Sequence, residues 1–146
     1  EPLWVITEIL SFSNLSKLYN SMYYSDKDLI ANAVGTGREV LSNHLHCITI
    51  LRNKCAHAAR LYNTRMSKPV QLSAYFLRAN PEIKNNSLFA YIIMLLKRLP
   101  DDPTKKDYIA EFTRIVEKCR ETVDMRFIGI PDKCNYNAVL AQNRYS

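Results

Sequence analysis

The chain has 146 residues, 47% of them hydrophobic and 23% charged, which excludes intrinsic disorder and suits a single domain, 1–146, with a true core. Twenty Lys and Arg against fourteen Asp and Glu give a net charge of +6, a balance that favours a polyanionic partner without requiring one. Cys47, Cys55, Cys119 and Cys134 are too scattered for a zinc site or a small disulfide framework, so reduced thiols and a cytoplasmic setting are expected.

Taken in chain order, the apolar spacing is helical nearly everywhere. Pro2 suits a first helical position, and Leu3, Trp4, Ile6, Ile9 and Leu10 follow as an amphipathic stripe. No basic stretch precedes an apolar one, so no export signal is expected. Ser13 is expected to cap a second short helix carrying Leu15, Leu18, Tyr19 and Met22. Ser25 with Asp28 three residues on reads as a capping box, opening a helix that Gly35 closes. From Arg38 to about Tyr62 the pattern predicts one uninterrupted helix, with Leu41, Leu45, Ile48, Leu51 and Cys55 as its apolar face. The segment Asn63–Asn86 is irregular, broken by Pro69 and Pro81, with a short strand or helix around Leu72–Leu77. Asn86 or Ser87 caps a helix through Leu99. Its apolar run, Leu88–Leu96, is too short to cross a bilayer and reads as core. Asp101-Asp102-Pro103 starts a further helix over Thr104–Thr122, burying Tyr108, Ile109, Phe112, Ile115 and Val116. From Met125 onward, Gly129, Pro131 and several Asn predict an extended tail. The fold class is an all-α bundle with an irregular connection and an extended C-terminal tail.

The Arg38–Tyr62 segment carries more than a core face. At 3.6 residues per turn His46, Thr49, Asn53, His57 and Arg60 fall on one line, and Asn53 and His57 are neighbours about 40° apart. Arg52 lies about 140° from His57 on an ideal helix, so a long guanidinium or a bend is needed to bring both to one cleft. Cys55, Ala56, Ala58 and Ala59 are small and allow another helix to approach. The combination resembles a floor for an anion. A lone helical histidine is more often a surface or core residue, however: His44 is read as structural, and His46 stays open. The Tyr23-Tyr24 pair could stack bases, yet aromatics at helical spacing more often belong to a core.

The string L-R-N-K-C-A-H-A-A-R-L-Y-N, Leu51 to Asn63, resembles the signature of the Abi-like abortive-infection proteins, the AbiD/AbiF group of bacterial phage defence. That group is placed in the HEPN superfamily of helical RNases, marked by R-[NDH]-x-x-x-H, which Arg52, Asn53 and His57 fit residue for residue. Pro2 to Tyr19 is similar to the family's upstream segment, and M-R-F-I-G-I-P-D, Met125 to Asp132, is similar, more loosely, to its closing element. Ala58 stands where family members often have a second histidine, and Tyr62 where they often have Trp. Members are commonly longer at the N-terminus, so the chain is read as the C-terminal portion of a longer protein.

The resemblance implies a metal-independent endoribonuclease in which the substrate's 2′-hydroxyl attacks the adjacent phosphate. Arg52, Asn53 and His57 are then the catalytic group: His57 as acid or base, Arg52 on the phosphate oxygens, Asn53 orienting the ring or holding the phosphate. Arg60 and His46 are candidate substrate-binding residues, with Arg60 equally able to pair with a nearby acid. No metal site and no cofactor are expected, since only Glu39 is acidic near the motif. The partners expected are an RNA substrate, a second copy of the chain in a homodimer whose two-fold doubles Arg52 and His57, and a regulatory RNA or antitoxin; no membrane is expected. The competing reading is a non-catalytic HEPN module that binds RNA or protein in a toxin-antitoxin-like system. A helix-turn-helix DNA reader fits the charge but not Leu45, Ile48 and Leu51.

Overall fold

The computed structural model describes residues 10–143, and the helix expected over Pro2–Leu10 lies outside them but for its last residue. The described residues form seven α-helices and no strand: α1 (Phe12–Ser21), α2 (Tyr24–Ala33), α3 (Arg38–Ala56), α4 (Ala74–Ala79), α5 (Leu88–Arg98), α6 (Asp102–Cys119) and α7 (Tyr136–Asn143). A single 3-10 turn spans Met125–Ile128. The all-α class expected from the sequence is the one observed. The chain divides into two compact units, Glu1–His57 and Ala58–Ser146.

In the first unit α1 and α2 both pack on α3. Tyr19, Ala31 and Leu41, one from each helix, form the buried centre, with Met22 and Leu45 against it. The Tyr19 hydroxyl donates to the carbonyls of Lys27 (3.2 Å) and Arg38 (3.3 Å), so one phenol pins α1 to both following helices. Burial, the leading cause, with Asp28 and Glu39 nearby, pushes that phenol's pKa up. Gly35 adopts φ +65°, the left-handed stop its residue type allows without a Cβ penalty, and Thr36 N–H reaches back to the Ala31 carbonyl at 2.9 Å.

Two expected caps are displaced. Ser11, not Ser13, caps α1, its hydroxyl accepting from Asn14 N–H at 3.2 Å. The Ser25–Asp28 capping box does not form, because α2 already begins at Tyr24 and Asp28 instead accepts from Arg38 Nη1 at 2.7 Å. A charge-assisted bond to a guanidinium outcompetes a neutral backbone donor.

The second unit is built around α5, which packs on α6 and α7. Ser87 caps it as expected, and Phe89, Ala90, Tyr91, Ile93, Met94 and Leu96 are buried. Phe89 stacks on Phe112 of α6 (6.1 Å between centroids), which meets Tyr136 of α7 edge-on (6.3 Å). The irregular connection is anchored rather than loose. Met66 and Val70 N–H donate to the Asn86 and Asn85 carbonyls at 2.9 and 2.8 Å, and the buried Tyr91 hydroxyl holds the Lys68 carbonyl at 2.7 Å. The ambiguous Leu72–Leu77 stretch resolves as α4, capped by Ser73.

Asp101 caps α6 as its sequence announced, accepting from Thr104 N–H at 2.8 Å. Of the residues expected to be buried on that helix, Val116 is; Tyr108, Ile109 and Phe112 are half-buried, and Ile115 is exposed. The tail is not extended throughout. Asn135 accepts from Ala138 N–H at 3.1 Å and starts α7, whose Val139 and Leu140 are buried. An asparagine that suggests coil by composition here acts as a helix cap.

Candidate active site

The site follows from where α3 stops. No Gly or Pro lies between Arg38 and Tyr62, and the spacing alone predicts continuation. The helix ends at Ala56 instead. His57 is its C-cap (φ −95°, ψ 15°), and Ala58 then takes φ +49°. A left-handed alanine costs about 1 kcal/mol, a strain borne one residue after the motif histidine. The expected line of five residues is thereby cut short. Arg60 is not on α3; it is exposed in the following unit, where its carbonyl accepts from the Thr64 hydroxyl at 3.1 Å.

Within the first unit the helical geometry persists far enough to keep Asn53 and His57 adjacent: His57 N–H donates to the Asn53 carbonyl at 3.0 Å. Arg52 reaches its neighbour, Nη1 donating to Asn53 Oδ1 at 3.2 Å. Asn53 therefore links the other two, through its side chain to Arg52 and through its main chain to His57. Arg52 and His57 are exposed and Asn53 is half-buried. The guanidinium keeps most of its five donors free of Asn53.

The remaining candidates separate. His44 is 2% exposed, in keeping with a structural role, whereas His46 is exposed, about two helical turns before Asn53. Thr49 is committed to packing: its hydroxyl donates to the Leu45 carbonyl (2.9 Å) and also reaches that of Phe12 (3.5 Å). Leu51 is buried directly before Arg52 and fixes the rotation of the helix, so that the motif side chains face out. Lys54, half-buried in the last turn, adds positive charge at the negative end of the helix dipole. Among the described residues no three His, Cys, Asp or Glu side chains gather as a metal site, and no helix is long and apolar enough to cross a membrane.

Two clefts are found in the second unit, one of about 600 Å³ along α4 and α7, the other of about 230 Å³ beside the Met125–Ile128 turn. Neither is lined by the motif, and sequence reading pointed to neither, because their walls come from segments up to seventy positions apart.

Compared with known families, residues 1–63 match the model described as Abi-like protein. No curated protein matches the chain, and no solved structure does. The matched stretch takes in all of α1, α2 and α3 and includes Arg52, Asn53 and His57, and over this segment the chain is similar to Abi-like proteins.

Proposed function

We propose that the chain is a metal-independent endoribonuclease of HEPN type, acting in the cytoplasm in bacterial abortive infection, with Arg52, Asn53 and His57 as its catalytic group. The observation that carries the reading is the linked arrangement at the end of α3, in which Asn53 accepts from Arg52 at 3.2 Å while its carbonyl holds the His57 main chain at 3.0 Å. In the reaction the ribose 2′-oxygen loses its proton to a base and bonds to phosphorus. The bond from phosphorus to the 5′-oxygen breaks, and that oxygen takes a proton from an acid. A 2′,3′-cyclic phosphate and a 5′-hydroxyl result.

An imidazole can fill either proton-transfer role. The Arg52 fork matches the non-bridging oxygens as charge builds on them. A single chain supplies one imidazole, while the reaction uses two proton transfers. A homodimer that brings two copies of the α3 end together provides the second, and exposed Ala56 and Ala59 permit close approach. His46, exposed on the same helix, is available to a flanking phosphate.

The test is cleavage of a defined RNA by purified protein in EDTA, with the new ends identified by mass spectrometry. Cyclic-phosphate or 3′-phosphate ends support the mechanism. Strict dependence on added magnesium, or 5′-phosphate ends, contradicts it. A second reading, a module that binds RNA or a protein antitoxin without cutting, draws on the same exposure of Arg52 and His57, which a docking surface also needs. Binding of RNA with no cleavage, unchanged when His57 is replaced, selects that reading.

A further inference from the structure

Helix α5 raises a question the cleavage reading does not answer. Lys97 follows Ala90, Ile93 and Met94 at steps of seven, four and three, so it lies on a face whose other members are fully buried. A lysine there must either find a carboxylate or reach water. Among the described residues it is in none of the ion pairs, which are made by arginines such as Arg38, Arg114, Arg120 and Arg126. Its side chain, half-buried, enters the wall of the 600 Å³ cleft bounded by α4, the end of α5 and α7. That volume lies within the range of about 300–1,000 Å³ that small-molecule sites occupy.

The rest of the lining suits one kind of ligand. Phe76 and Val139, both buried, supply an apolar floor, and Asn80, whose Nδ2 donates to the Phe76 carbonyl at 3.1 Å, keeps one amide N–H beyond that bond. Lys133 adds a second positive charge. The acidic residue of the wall, Glu82, acts on the Cys134 thiol, whose pKa is raised first by burial and then by that carboxylate. Lys97 is influenced differently: burial, then the neighbouring Arg98, lowers its pKa.

We propose that this cleft binds a small organic anion, its charged head paired with Lys97 and its apolar body lying on Phe76 and Val139. The site is built wholly from residues beyond the catalytic group and stands or falls independently of RNA cleavage.

The probe is 1-anilinonaphthalene-8-sulfonate, an anionic head on an aromatic body, titrated by fluorescence into the full chain beside the uncharged N-phenyl-1-naphthylamine. The expected result is saturable binding of one equivalent of the sulfonate. Lys97→Met should weaken it about tenfold or more, since a charge-assisted contact is lost, and leave the uncharged amine within about twofold. Ala138→Trp, at an exposed position of the lining, fills the cleft without touching the core and should abolish binding of both probes. Equal sulfonate affinity in the parent and Lys97→Met proteins, or binding undiminished in Ala138→Trp, overturns the proposal. Should Lys97→Met fail to fold, the Ala138→Trp titration decides alone.

Discussion

Helix α3 has nineteen residues and buries four, whereas α5 has eleven and buries six, so the shorter helix does more to hold its unit together. The two also end differently. Helix α5 starts on a serine cap and stays apolar until Lys97 and Arg98, and its neighbours close over it with aromatic rings. Helix α3 buries Leu41, His44, Cys47 and Leu51 along one side, and none of its last four residues, Asn53 to Ala56, is fully buried. Stability is concentrated where the chain is apolar on nearly every face. On the proposed function, chemistry sits where a helix runs out, because exposed side chains there can meet a substrate while a buried residue one position away fixes their orientation.

If that division is right, substitutions in α5 and its contacts should cost stability, and those at the end of α3 should not. The largest loss is expected for Phe89→Ala, which leaves a void beside Phe112 and should lower unfolding free energy by about 4 kcal/mol in a urea titration. A loss under about 1 kcal/mol would break the comparison. Gly129→Ala comes next, at about 3 kcal/mol. The backbone there holds φ +97°, and an added Cβ would lie 2.3 Å from that of Ser87, so the helix cap must shift. Ser87→Ala removes only the cap bond to Ala90 N–H and should cost about 1 kcal/mol.

Acid titration sharpens the picture within the second unit. Asp101, held by the Thr104 N–H, and Glu111 and Asp124, held by Arg114 and Arg126, have pKa values below the ordinary carboxylate range. Their contribution is complete above that range and is lost as pH falls through the lowered folded values, so the melting temperature should begin to drop below about pH 4. The smallest stability effect is expected for Arg52→Ala, within about 0.5 kcal/mol of the parent, since its side chain is exposed and bonds only to its neighbour Asn53.

The helices were legible where a capping residue had a second signal beside it, an apolar run after Ser87 and a first-turn proline after Asp101. They were less so where competing partners were distant in sequence: Asp28 could not announce a preference for Arg38 over its own helix start. The end of α3 was hidden because the stop falls on Ala58, a residue type that ordinarily continues a helix, in place of the glycine that marks the end of α2 at Gly35. Of the candidate site, the Asn53–His57 adjacency follows from helical periodicity and was open to reading. The contact of Arg52 with Asn53 depends on a rotamer, and the separation of Arg60 depends on that unannounced stop; neither is written in residue spacing. The cleft around Lys97 was invisible for a simpler reason, since its walls are assembled from α4, α5 and α7.

The most direct measurement compares RNA cleavage by the parent protein and by His57→Ala in EDTA, with thermal melting of both recorded alongside. The account predicts a fall in cleavage rate of at least about a hundredfold, with the melting temperature essentially unchanged because His57 is exposed at the end of α3. A His57→Ala protein that melts like the parent and cuts RNA just as fast would contradict it.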